Sequence, residues 1–212
     1  MLEPYYDDGG GRVIYHGDCA DILPELGRFD LLLTDPPYGI GLAKMRMGNQ
    51  TSHKTATWDE QAIPESLLAA AKGTSEKAII WGGNYYSNEP SGSWLVWDKE
   101  TAGVTSFADA ELAWTNLGKA TRLFRHLWSG PYMKVKEHRV HPTQKPLPLM
   151  RWCLSLVPDA KTILDPFMGS GTTLLAAKLE GRSAVGIEID EAYCEIAANR
   201  LRQNVFDFKD QA

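Results

Sequence analysis

The chain is poor in cysteine, with only Cys19, Cys153 and Cys194 among its 212 residues. They form no CxxC pair and have no metal-like spacing, so no metal site is expected. They read as reduced, mostly structural thiols of an intracellular, cytoplasmic protein. No apolar run approaches the roughly 20 residues of a membrane span, so a membrane is not an expected partner. The segment Met1 to Gly11 is acidic and polar, unlike a signal peptide. Internal repeats and low-complexity stretches are absent. Net positive charge is absent too: the formal charge is −5. That argues against a uniformly basic nucleic-acid binder, although local distribution outweighs the sum.

What is present suits a folded protein. The hydrophobic fraction is 43%, and the length allows one sizeable core but leaves two domains cramped. A single domain over residues 1–212 is expected. Met1 to Gly11 reads as a loose, Gly-rich tail. Strands are expected at Arg12 to His16, Phe29 to Thr34, Lys77 to Trp81, Trp94 to Trp97, Ala110 to Trp114, Thr162 to Leu164 and Ser183 to Ile187. Helices are expected at Cys19 to Leu26, Pro64 to Lys72, Leu147 to Val157, Thr173 to Leu179 and from Asp190 to about Gln203. Strands alternating with helices indicate an α/β fold with a mostly parallel, seven-stranded sheet and helices on both faces.

Two turns at strand ends carry chemistry. Asp35-Pro36-Pro37-Tyr38 follows the apolar run Phe29 to Thr34. Two prolines stop a central strand and stiffen the chain. The turn presents a carboxylate, carbonyls without competing N–H groups, and an aromatic ring. It lies at the carboxyl end of a strand, where open α/β sheets bind ligands. The grouping suits a planar base held by its amino group and stacked on its face.

The second turn, Asp165-Pro-Phe167-Met-Gly169-Ser170-Gly171-Thr172-Thr173, joins a strand to a helix. The next strand ends in Glu188, placed to bind ribose hydroxyls. The turn is not GxGxxG, no Lys follows its last glycine, and no basic residue lies within it. A cofactor with ribose but no phosphate fits best, and S-adenosylmethionine is the obvious candidate.

Together the two turns resemble those of the DNA amino-methyltransferases, which modify adenine N6 or cytosine N4. Asp165 to Thr173 is similar to the family's cofactor motif and Asp35 to Tyr38 to its catalytic motif. His141-Pro-Thr143-Gln-Lys145-Pro146 is similar to the segment preceding the cofactor motif, and Gly186 to Asp190 to the ribose-binding strand end. The catalytic motif comes first, which resembles the β-type order. The resemblance spans roughly residues 13 to 203. It implies a Rossmann-like class I methyltransferase fold, circularly permuted, with Arg12 to His16 beside the strand ending at Glu188.

The resemblance also implies roles. Asp35, Pro36, Pro37 and Tyr38 would be catalytic. The amine would donate hydrogen bonds to Asp35 and the Pro36 carbonyl, and Tyr38 would stack on a base flipped from duplex DNA. The cofactor would be held by Asp35, Asp165, Phe167, Gly169, Ser170, Gly171, Thr172, Glu188 and Ile189, with Thr143 or Lys145 near its carboxylate end and His141 in the same segment. Asp18 would face the cofactor or simply cap the helix after it.

DNA contacts are expected from two insertions, 39–59 with Lys44, Arg46 and Lys54, and 121–140 with Arg122, Arg125, Lys134, Lys136 and Arg139. In the resembling family, Asp-Pro-Pro-Tyr usually accompanies adenine N6 and Ser-Pro-Pro-Tyr cytosine N4. Cytosine N4 stays open here, as do an inactive DNA-binding module and a nicotinamide-dependent oxidoreductase. A homodimer and a cognate restriction nuclease are compatible partners. No Pro-Cys pair appears, which disfavours methylation of a cytosine ring carbon.

Overall fold

The computed structural model describes residues 2–39, 62–87, 92–101, 108–118, 120–128 and 144–203. The expected insertion at 39–59 lies outside these residues apart from Gly39, and so does most of 121–140.

One sheet organises the chain. Its strands in sequence order are β1 (Tyr6–Asp7), β2 (Arg12–His16), β3 (Phe29–Thr34), β4 (Ser75–Trp81), β5 (Ser93–Asp98), β6 (Ala110–Thr115), β7 (Arg122–Arg125), β8 (Thr162–Asp165) and β9 (Ser183–Glu188). Their spatial order is β1-β2-β9-β8-β3-β4-β6-β5-β7. The block from β2 to β4 is parallel throughout, whereas β6 is antiparallel to both neighbours. Strands β2 and β9 pair in parallel although they lie near opposite ends of the sequence, as the permuted order requires.

Among the described residues the sheet has nine strands where seven were expected. The Gly-rich tail is a hairpin, not a loose end. Asp7 accepts a hydrogen bond from the Gly9 amide, and Asp8 accepts from those of Gly10 and Arg12, at 2.8 to 3.0 Å. These carboxylate-to-amide bonds build the turn that folds β1 onto β2. The other addition, β7, lies in the segment whose charge alone suggested a loop. It pairs in parallel with β5 at the edge of the sheet, and an arginine stands at each end of it, as suits an edge strand.

Among the described residues five α-helices complete the layers: α1 (Cys19–Ile22), α2 (Glu65–Gly73), α3 (Leu147–Ser155), α4 (Thr172–Leu179) and α5 (Glu191–Arg202). The helix expected over Cys19 to Leu26 breaks at Pro24 into α1 and a 3₁₀ turn. Pro64 is the N-cap of α2, just outside its first turn.

Alternation along β3 shows how the sheet is covered. Leu31 and Leu33 join one core with residues of α3, α4 and α5, while Leu32 joins a second core with residues of α1 and α2. Helices therefore lie on both faces, and the carboxyl ends of β3, β4, β8, β9 and β2 form a shared edge. Among the described residues, no helix is long and apolar enough to cross a membrane.

Candidate active site

A cavity of about 330 Å³ opens at that edge. From the end of β8 it takes Asp165, Phe167, Gly169, Ser170 and Thr172. Glu188 and Ile189 line it from β9, Asp18 from β2, Asp35 and Pro37 from β3, and Lys145 from the approach to α3. The two turns singled out in the sequence thus meet in one space, through residues 130 positions apart (Asp35 to Asp165).

Each wall has a local cause. At Glu188, Oε2 accepts from the Gly169 amide and Oε1 from the Asp190 amide, both at 2.9 Å. The carboxylate thereby ties the Gly-rich turn to the tip of β9. Burial pushes its carboxyl up from the ordinary range, against those amide bonds. Asp18 caps α1, accepting from the Ala20 amide at 2.8 Å, and also lines the cavity. Gly171, at φ 76°, does not line the cavity. A Cβ there would lie 2.7 Å from the Cβ of Ala197 on α5, so this glycine lets the two helices approach. Arg200 on α5 braces the same turn, donating from Nη1 to the Ser170 carbonyl at 2.6 Å and to the Thr172 hydroxyl at 3.1 Å.

Asp165 accepts from the Thr34 hydroxyl at 2.8 Å and the Phe167 amide at 3.2 Å. Burial nevertheless pushes its carboxyl from the ordinary 3.8 up to about 6. A raised folded-state value means the folded protein holds this proton more tightly than the unfolded chain. Its contribution to stability is fully present below pH 3.8 and is lost as pH rises through about 6. Asp165→Asn is therefore expected to raise the urea midpoint at pH 8. The gain should shrink as pH falls toward 5. A constant difference across that range would contradict the assignment.

The Asp35-to-Tyr38 turn is held by a charge network centred on the buried Lys145. Lys145 is 6% exposed. Its Nζ lies 2.6 Å from Asp35 Oδ2 and 3.1 Å from Glu111 Oε2. On its other oxygen, Glu111 meets Lys99 at 2.7 Å. Burial pushes the Asp35 carboxyl up, Lys145 pulls it back, and Glu111 adds to the rise. Burial also opposes ionisation of Glu111, yet Lys145 and Lys99 hold its carboxyl down at about 2. Burial alone would depress the Lys145 ammonium, but Asp35 and Glu111 hold it above its ordinary range. Two carboxylates and two ammonium groups thus lie together, half-buried apart from the buried Lys145, and neutralise one another.

Lys145, expected near the carboxylate end of a cofactor, lines the cavity and also engages two protein carboxylates. Tyr38 donates its hydroxyl to Asp35 Oδ1, and its ring stacks on Tyr85 with centroids 5.0 Å apart and planes at 18°. Tyr86 donates to the Pro37 carbonyl, fixing the turn from behind.

Glu111, Lys99, Tyr85, Tyr86 and Arg200 were not singled out in the sequence. Glu111 offered one faint signal, a carboxylate near the start of an otherwise apolar strand. Of the expected DNA contacts, Arg122 lies exposed on β7, and Arg125 pairs with Asp98 at 3.3 Å. Lys44, Arg46, Lys54, Lys134, Lys136, Arg139, His141 and Thr143 lie outside the described residues.

The model of a DNA methylase family, that of the N6/N4 methyltransferases, matches residues 94–199, half of the chain. The type II methyltransferase M2.DpnII of Streptococcus pneumoniae is 42% identical, across 95% of this chain and 93% of its own length.

The chain belongs to the N6/N4 DNA methylase family.

A further relative of this methylase is M.ScaI of Streptomyces caespitosus, 28% identical across 94% of this chain and 84% of its own. Among solved structures, the fold matches that of an M1.HpyAVI–SAM complex with a TM-score of 0.58 at 24% identity, covering 90% of this chain and 98% of that one. It also matches the PvuII cytosine-N4-specific DNA methyltransferase with a TM-score of 0.57 at 17% identity, covering 92% and 88%. Both likenesses concern the fold, which is that of the class I methyltransferases. Membership of the methylase family sets aside the oxidoreductase reading.

Proposed function

We propose that this methylase transfers a methyl group from S-adenosylmethionine to the exocyclic N6 amine of adenine in double-stranded DNA, with the base flipped out of the duplex. The observation that carries the proposal is that Asp35 and Pro37 of the Asp35-to-Tyr38 turn meet residues of the Asp165-to-Thr172 turn on one cavity.

The lining suits this cofactor. Among the described residues it carries four carboxylates, Asp18, Asp35, Asp165 and Glu188, against a single cation, Lys145, which is already paired. Such a surface repels phosphate and favours a cationic ligand. S-adenosylmethionine supplies an electrophilic methyl group on a positive sulfur when bound. Glu188 would hold its ribose hydroxyls, with Gly169, Ser170 and Phe167 beside it. The buried, up-shifted carboxyls of Asp165 and Glu188 would be stabilised by that positive charge.

The chain's own residues then act on the acceptor. An exocyclic amine is flat and weakly nucleophilic, because its lone pair is delocalised into the ring. Asp35 and the Pro36 carbonyl accept its hydrogen bonds and favour a pyramidal nitrogen with a usable lone pair. Lys145 and the Tyr38 hydroxyl fix the Asp35 carboxylate beforehand, and Tyr86 fixes the turn at Pro37. Asp35 is the acceptor placed for the proton the amine releases. Adenine is preferred over cytosine because the turn begins with Asp. Arg122, exposed on β7, would meet the phosphates, as would Lys44, Arg46, Lys54, Lys134, Lys136 and Arg139 by their charge, in one domain acting in the cytoplasm. The protein incubated with methyl-labelled S-adenosylmethionine and unmethylated genomic DNA is expected to label the DNA. Label found only in RNA or protein, or nowhere, would overturn the proposal.

A further inference from the structure

We propose that Tyr85 is the second wall of the base slot, and that the Tyr38–Tyr85 stack is the closed form of that slot. The inference rests on the reading above, in which a nucleobase reaches Tyr38.

The Tyr38 ring has close neighbours. Gly82 packs so tightly against it that any Cβ at that position would penetrate the ring. One face of the ring is covered by Tyr85, nearly parallel at 5.0 Å, the placing a stacked nucleobase would take. Without a change there, a base reaching Asp35 finds that face of Tyr38 already occupied.

Tyr85 differs from the other large rings near this edge. Trp81 and Trp114 are buried, and Tyr86 is buried with its hydroxyl on the Pro37 carbonyl. Tyr85 is 50% exposed and sits at the end of a one-turn 3₁₀ helix that starts after Gly82, whose φ is +65°. Its ring therefore has solvent on one side and Tyr38 on the other. Swinging outward costs one Tyr–Tyr stack and little burial. A base admitted between the rings regains two stacks, one on each face, and base–aromatic stacking tolerates any base identity. Tyr85 would thus hold the flipped base without choosing it, leaving the choice to hydrogen bonds around Asp35.

The test measures methyl transfer from labelled S-adenosylmethionine to unmethylated genomic DNA by wild type, Tyr85→Ala and Tyr85→Phe. Calorimetry gives the S-adenosylmethionine affinity of each. Tyr85→Ala is expected to lower kcat/KM for DNA about 10- to 100-fold, with cofactor affinity kept. Tyr85→Phe, which retains the ring, is expected to rescue most of that loss. The slot is overturned if Tyr85→Ala matches wild type or if Tyr85→Phe falls as far as Tyr85→Ala. It is also overturned if Tyr85→Ala loses cofactor affinity in parallel, which would place the ring in the fold. Wild type that labels no DNA would instead overturn the methyltransferase reading itself, and the slot with it.

Discussion

Asp35→Ala is expected to lower methyl transfer to DNA by about 10³-fold or more while much of the S-adenosylmethionine binding remains. The carboxylate is the one charged acceptor at the end of β3, and the sheet presents it with both oxygens engaged, by Lys145 and by Tyr38. Its work is positional and electrostatic, so truncation removes an interaction made with the reacting amine. A loss in kcat with a small change in cofactor affinity is the expected signature. Asp35→Asn is expected to be nearly as damaging, since an amide accepts more weakly and carries no charge to meet the released proton. Unchanged turnover in Asp35→Ala would refute the mechanism. No transfer by wild type or variant, with DNA still bound, would favour an inactive DNA-binding module.

Lys145→Met is expected to damage both the fold and the rate. Removing one member of a buried ion pair strands its partners, at a cost of about 3–5 kcal/mol. Here two carboxylates are stranded, Asp35 and Glu111, although Lys99 still serves Glu111. The sign of the pH effect follows from the charges. Burial raises the Asp35 carboxyl and Lys145 opposes that rise, so its loss raises Asp35 further. The reaction needs the ionised form. The acid limb of the pH–rate profile should therefore move to higher pH, with a loss at neutral pH of about 10²-fold. Glu111→Gln added to Lys145→Met should restore part of the stability, because one stranded charge disappears. An unmoved acid limb in Lys145→Met would show that Lys145 does not set the charge of Asp35.

The parallel core of the sheet was readable from sequence because buried strands announce themselves as short apolar runs bounded by turn residues. Phe29 to Thr34 followed by two prolines left little choice, and so did Ser183 to Ile187 ahead of Glu188. Strand β7 was hidden because its two arginines outweighed its leucine and phenylalanine in any reading by charge. The β1 hairpin was hidden because Asp-Gly-rich sequence reads as disorder until the carboxylates find their backbone amides. The site divides in the same way. Residues inside the two turns were legible, since local backbone chemistry marks them. Glu111 and Lys99 lie on or beside antiparallel strands remote in sequence from Asp35, and only sheet topology brings them to Lys145. Lys145 itself stands out in its prolyl segment, but nothing local reveals the two carboxylates it pairs with. Arg200 was passed over for a similar reason, because arginine near a helix C-terminus is ordinary.

Transfer to the N6 amine of adenine is the reaction proposed, and the nucleoside that gains the methyl group decides it. Unmethylated genomic DNA treated with the protein and S-adenosylmethionine is digested to nucleosides and analysed by mass. N6-methyladenine is the expected product, absent when Asp35→Ala replaces the wild type. N4-methylcytosine as the only new nucleoside would contradict the claim.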